Sequence, residues 1–353
     1  MTEDNTKSLT EDEIKLYDRQ IRLWGVEAQG NLRNSRILLI NLTSVGVEIC
    51  KNLVLGGVGG ITVVDGSFVL EQDLNVNFFI DSSSVGQLKV KASERRIEEL
   101  NPRVNLVTIG QNWAELGNLE GFIKDFDMVV ATGLNEDEIL TINGLTRKLR
   151  VPFYCSSVHG LYGFIFADLI EHKSTVRFDK QSSKKVGRID SVSSIISISE
   201  GIENDIEIQN CVIENVYREF GELSGLFIRE KYNSERKQIK KVASLLPLML
   251  ALLKFPSGLN KRIEEVHIGV DELREKGLAV SRKLGISEEV VKRDDETLER
   301  LTRQAYCEYE PVSSVLGGAV AQDVINWLVR KERPINNFAV MDGYRDELRV
   351  YTL

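Results

Sequence analysis

Short apolar runs alternate along the first half of the chain with stretches whose apolar positions recur every three or four residues. The runs predict strands over 36–41, 61–65, 103–109, 127–131 and 152–156, and the 3.6-residue periodicity predicts helices over 45–55, 86–99 and 136–149. Strands that are apolar throughout and separated by helices belong to a parallel sheet covered on both faces, so the expected class is α/β, a Rossmann-like doubly wound sheet. Gly160 to Ile170, GLYGFIFADLI, is rich enough in aromatic and β-branched residues to add one or two strands. Upstream, Thr10 and Glu13 have the spacing of a capping box, and Ile14, Tyr17, Ile21 and Trp24 then form one apolar helical stripe. Arg19 lies about 200° around that helix from Tyr17 and leaves the packed face.

Beyond Glu171 the pattern changes. Residues 171–210 are polar, and SSKKVGRIDSVSSI predicts a surface loop or mobile insert. Ser234 to Phe255 is helical in pattern until Pro247 kinks or ends it, and further helices are expected near 259–284 and 288–308. Pro311 to Arg330 is a strongly apolar helix whose Gly317, Gly318 and Ala319 would let it approach a sheet closely. Asn337–Asp342 and Glu347–Tyr351 read as closing strands. The expected organisation is an α/β domain from residues 1–170 and 305–353, with a smaller inserted domain at 171–304, loop-rich and then helical.

Composition narrows the class. The 353 residues are 42% hydrophobic and 28% charged, as expected of a globular chain with a large core. Lys plus Arg number 45 against 53 Asp plus Glu, a net charge of −8, which argues against a nucleic-acid binder. Arg236, Lys237, Lys240 and Lys241 read as one solvated helix face. The longest apolar run, Leu245 to Leu253, contains Pro247 and is too short for the roughly 20 residues of a bilayer span. With an acidic start, MTEDNTKSLTEDE, the expectation is an intracellular protein without a membrane segment. Cys50, Cys155, Cys211 and Cys307 are scattered without metal-site or redox spacing, so no metal site is expected. His159, His172 and His267 have no ligand spacing either, and Trp24, Trp113 and Trp327 read as core or interface aromatics.

The chemistry concentrates at Ser35 to Asp65, SRILLINLTSVGVEICKNLVLGGVGGITVVD, laid out as strand, turn, helix and strand. A nucleotide site at such a turn needs glycines, because side chains hold the pyrophosphate away from the helix N-terminus. This turn reads Asn41, Leu42, Thr43, Ser44, Val45, Gly46, and only Gly46 remains. Asp65 ends the second strand, where a carboxylate takes ribose hydroxyls or simply forms the turn before Gly66.

The succession YDRQIRLWG, NLVLGGVGGITVVD, DLNVNFFI, VGQLKVKASERRIEELNP, PVSSVLGGAVAQDVIN and NNFAVMDG resembles the activating enzymes of ubiquitin-like proteins and their bacterial adenylating relatives. Within that family it is similar to the smaller, Aos-type subunits of SUMO-activating heterodimers. Competent members carry G-x-G-G-x-G at the turn, where this chain has Asn41, Thr43 and Ser44 at the first three glycine positions. Their D-x-D becomes Asp65 with Ser67, losing the second carboxylate, and their N-L-N-R-Q-F becomes Asp73, Leu74, Asn75, Val76, Asn77, Phe78, losing the arginine. Asp65, Asn75 and Lys89 are the remnants of the site, Lys89 being either a residual phosphate contact or a helix-start lysine. The R-Q-I-R segment is intact as Arg19, Gln20, Ile21 and Arg22.

The resemblance implies a subunit that binds no nucleotide itself. A catalytic, Uba-type partner would hold Mg-ATP, adenylate the SUMO C-terminal glycine and carry the thioester cysteine, while Arg19 reaches in trans to the γ-phosphate. Arg22 would pair with Asp18 at i, i+4. Residence in the nucleus, and also the cytoplasm, is implied by the resemblance alone. Three alternatives stay open at this stage: a homodimeric adenylating enzyme of the sulfur-carrier type, a pure scaffold subunit, and a neddylation-type subunit of the same family, whose chains are typically longer with a larger insert.

Overall fold

The computed structural model describes residues 9–179, 184–203, 206–223, 242–258, 261, 265–330 and 332–353. Three short helices open the chain: α1 (Glu11–Leu16), α2 (Asp18–Trp24) and α3 (Val26–Asn34). Then follow β1 (Arg36–Ile40), α4 (Ser44–Gly56), β2 (Gly60–Val64), α5 (Lys89–Leu100), β3 (Asn105–Ile109), α6 (Leu119–Ile123), β4 (Met128–Thr132), α7 (Glu136–Leu149), β5 (Phe153–His159) and β6 (Tyr162–Asp168). The strands order as β3-β2-β1-β4-β5 in parallel. This is the Rossmann arrangement, whose order reverses between β1 and β4 and opens a crevice at their carboxyl ends.

The alternation of side chains explains why the strands are apolar on both faces. Leu38, Ile40, Val129 and Ala131 face a core shared with Ile139 and Ile142 of α7, while Ile37, Leu39, Met128 and Val130 face a core shared with Val45, Ile49 and Leu53 of α4. Two further strands near the C-terminus, β11 (Phe338–Asp342) and β12 (Glu347–Tyr351), extend the sheet antiparallel beyond β6, as their sequence pattern predicted.

The described residues of 171–210 are mostly strand rather than loop. They supply most of a second, antiparallel sheet made of β7 (Glu171–Asp179), β8 (Gly187–Arg188), β9 (Ser193–Glu203) and β10 (Ile206–Val216), in the order β7-β10-β9-β8. Its apolar cluster is small, Ile195, Cys211 and Ile213 with Val176, Phe178 and Ile198 beside them, and the many other positions that face water carry Ser, Glu and Lys. A sheet wetted over most of its surface reads as a polar loop when no pairing partner is known. The Arg147 guanidinium bridges this layer to the main sheet, donating to the Asp168 carboxylate at 2.7 Å and to the Tyr217 carbonyl.

Pro247 does not end a helix; it sits in the first turn of α8 (Leu245–Leu252), where its missing N–H would have no intrahelical acceptor. Every residue of α8 is buried, which accounts for a helix apolar all round. The expected helices beyond it are shorter than their periodicity suggested: α9 (Val270–Leu284), α10 (Glu289–Lys292) and α11 (Asp295–Gln304). Leu246, Leu273 and Leu298 share one core with Phe153, Phe164 and Phe338 of the main sheet. The cluster at Arg236 to Lys241 lies outside the described residues.

The N-terminal segment is also two helices rather than one. The Thr10–Glu13 capping box forms, but the chain breaks at Tyr17, so of the predicted stripe only Tyr17 is buried and Ile14 is exposed. The Tyr17 ring lies against Gly57, which has φ +82°, and its hydroxyl accepts from the Asn101 side chain at 2.9 Å.

The apolar helix α12 (Glu310–Val329) lies across α4, with further contacts to β5 and β6. Gly317 is therefore required by a neighbouring helix, not by the sheet: a Cβ there would collide with Cβ of Glu48 and come within 3.2 Å of the Val45 carbonyl. Gly318 has nothing within 4 Å of a Cβ. Gly317→Ala should therefore destabilise the chain by about 1–3 kcal/mol through overpacking. Gly318→Ala should be neutral or stabilise it by up to about 1 kcal/mol, the two being compared by urea unfolding.

Candidate functional site

The crevice between β1 and β4 is where this fold holds a ligand, and the β1–α4 turn forms its floor. Asn41 occupies a glycine position of the competent motif and keeps the glycine-like backbone, φ +66°. Asn tolerates that conformation better than most residues, and here its amide donates to the Thr132 carbonyl at 2.9 Å while the Thr132 hydroxyl donates back to the Asn41 carbonyl at 2.8 Å. Gly46 remains a glycine because a Cβ would stand 2.6 Å from the Asn41 carbonyl oxygen.

The backbone donors at Leu42, Ser44 and Gly46 have partners inside the chain. The Leu42 N–H donates to the Asp65 carboxylate at 2.7 Å, the Ser44 N–H to the Glu308 carboxylate at 2.8 Å and the Gly46 N–H to the Thr43 hydroxyl at 3.3 Å. Asp65 also accepts from the Ser67 N–H at 2.7 Å, so each of its oxygens takes one backbone donor of the turn.

Lys89 opens α5 and is buried; its ammonium donates to Asp73 at 3.1 Å. Burial disfavours its charge, but the carboxylates of Glu308, Asp73 and Asp65 outweigh that and raise its pKa above the ordinary lysine value. Burial raises the pKa of Glu308 as well, with Lys89 working against it. A cavity of about 50 Å³ is left, lined by Thr43, Phe68, Asp73, Lys89, Tyr306 and Glu308 among others. At about 10–15 Å³ per water it holds a few waters. Its wall carries the carboxylates of Asp73 and Glu308 and the ammonium groups of Lys89 and Lys261.

Residues 17–353 match the ThiF family. The chain belongs to the ThiF family. Over 96% of both chains this ThiF-family protein is 42% identical to DNA damage tolerance protein RHC31 of Saccharomyces cerevisiae. It is 34% identical to DNA damage tolerance protein rad31 of Schizosaccharomyces pombe, over 98% of this chain and 99% of that one. It is 30% identical to SUMO-activating enzyme subunit 1 of Homo sapiens, over 96% of this chain and 94% of the relative. Among solved structures, selenomethionine PaaA shares the fold with a TM-score of 0.55 at 14% identity, covering 100% of this chain and 77% of that one.

Of the residues that the ThiF-type motifs single out, the structure brings Asp65 and Lys89 together at the turn. Asn75 is exposed at the end of a 3-10 turn and is not part of the cavity wall, and Val76, in the arginine position, caps that turn half-buried. Arg19 is exposed on α2, also outside the cavity, with no hydrogen bond or ion pair among the described residues. Arg22 pairs with Asp18 at 2.9 Å, as its spacing predicted. Glu308 was missed, because 264 residues separate it from Ser44 and no short motif marks it. Burial raises the thiol pKa of all four cysteines, Cys50 to about 12, which disfavours the thiolate in each.

The wall at Tyr306 is held by His159, whose Nδ1 accepts from the Tyr306 N–H at 3.0 Å while the two rings meet edge to face. Burial lowers the His159 pKa to about 3. A lowered pKa gives stability that is complete above the unfolded value of 6.5 and is lost as pH falls toward 3. Between pH 6.5 and 5 that loss is about 2 kcal/mol from this ring. Burial lowers His172 to about 4, adding in the same direction, whereas burial raises Asp323 to about 6 and its contribution runs oppositely, falling as pH rises through 6. Urea midpoints should therefore decline more steeply below pH 6.5 in the native chain than in His159→Asn, which keeps an acceptor near Nδ1 and does not titrate.

Proposed function

We propose that this chain is the smaller, non-catalytic subunit of a SUMO-activating heterodimer and acts on Mg-ATP held by its larger partner. The observation that carries the reading is the β1–α4 turn, whose donors at Leu42, Ser44 and Gly46 are bonded within the chain where a competent member would present them to phosphate. End-to-end correspondence with proteins named SUMO-activating enzyme subunit 1 supports it.

The positive charge this chain offers is Arg19. When the modifier's C-terminal carboxylate attacks the α-phosphate, the bond to pyrophosphate breaks and charge gathers on the departing group. A planar guanidinium that is always protonated stabilises that charge, and no general base is needed because the attacking carboxylate is already ionised. Exposure of Arg19 suits a role in trans, and so do its neighbours. Leu23, one turn further along α2, is 71% exposed and Leu16 is 57% exposed, apolar surface suited to cover by a partner.

In the assembled heterodimer, Arg19→Ala should leave co-purification of the two subunits intact and lower adenylate formation on the order of a hundredfold, as for loss of one charge-stabilising donor. Arg19→Lys should recover only part of the rate. Unchanged ATP–pyrophosphate exchange in Arg19→Ala would reduce the chain to a scaffold. Exchange by the chain alone, without a partner, would instead favour a homodimeric adenylating enzyme.

A further inference from the structure

We propose that Glu308 is a built-in anion that takes the phosphate position of this fold, its carboxylate seated on the N-terminus of α4 so that the site is closed from within. The inference deepens the reading of a non-catalytic subunit and rests on it, since it names the residue that closes this chain's own site.

The placement follows from what the crevice demands. A helix N-terminus presents unpaired N–H groups with partial positive charge, and a buried lysine beside it adds a full one. In this fold a ligand phosphate answers both. Here Glu308 does: it accepts from the Ser44 N–H at 2.8 Å and, among the carboxylates that sustain the charge of Lys89, acts most strongly. The Ser313 hydroxyl, from the second turn of α12, donates to the Ser44 hydroxyl at 2.7 Å and holds the start of α12 against the same residue. Asp73 takes the Lys89 ammonium at 3.1 Å, and Thr43 and Asp65 take the neighbouring backbone donors. A phosphate entering the cavity would have to displace Glu308 from Ser44 and would meet a second carboxylate, Asp73, on the same wall as Lys89 and Lys261.

The test uses the full chain, purified alone, with inorganic pyrophosphate as the probe and thermal unfolding and calorimetry as readouts. Wild type should show no rise in Tm at millimolar pyrophosphate. Glu308→Ala should bind it on the order of tenfold more tightly than wild type, because a like charge facing the anion is gone. Adding Lys89→Ala should abolish that gain. Glu308→Gln preserves volume and an acceptor for the Ser44 N–H while removing only the charge, so it keeps the test intact if the alanine variant does not fold; a smaller but measurable gain is expected. Pyrophosphate affinity unchanged in both Glu308 variants, or already tight in wild type, would overturn the proposal. The heterodimer separates this outcome from the functional reading: Glu308→Gln should keep adenylation within about twofold of wild type, whereas Arg19→Ala should not. If the Glu308 variants gain nothing and Arg19→Ala still fails, the plug is wrong and the subunit reading stands.

Discussion

A backbone N–H at the start of a buried helix must find an acceptor, and the identity of that acceptor decides what this crevice can do. In a nucleotide-binding member of the fold the acceptor is phosphate, and the glycines of the turn exist to let it approach. In this chain the acceptors are side chains: Asp65 for Leu42, Glu308 for Ser44, Thr43 for Gly46. Once those bonds are made the turn needs no glycine at its first positions beyond the left-handed backbone that Asn41 supplies. The architecture is kept while the ligand becomes unnecessary for it.

The charge pattern follows from the same substitution. Lys89 is buried and keeps its proton because Glu308, Asp73 and Asp65 surround it; a lysine at that depth without carboxylates would be driven toward the neutral form. Lys89 thereby forms an internal ion pair with Asp73, linking the start of α5 to the 3-10 turn at 71–75. Arg19 is the converse case. It stands on a short helix that begins after Tyr17, whose hydroxyl accepts from Asn101, and follows α1, which the Glu13–Arg33 ion pair ties to α3; Arg19 itself makes no hydrogen bond or ion pair among the described residues. One basic residue is paired inside the chain and the other stands on the surface.

The strands and helices of the main sheet were legible because their signals are local: unbroken apolar runs for β1, β2 and β4, 3.6-residue periodicity for α4 and α7, a capping box at Thr10. The order of the motifs was legible too, which is why Arg19, Asp65 and Lys89 could be named and the loss of glycines at 41–44 noticed. Other features had no local signal. The second sheet, β7 to β10, hides its pairing in polar composition, since a strand's partner and its wet face are not written in its own residues. Pro247 was misplaced because the same residue breaks a helix interior and suits a first turn, and only the position of the helix start distinguishes the two.

The amino-acid order by itself determined the fold class and the degeneracy of the nucleotide turn, because propensity and the steric need for glycine act over a few residues. Only the tertiary structure decided what fills the vacated place. The carboxylate that meets Ser44 comes from 264 positions away, brought there by the packing of α12 across α4 through Gly317, and contacts of that separation depend on how the whole core closes.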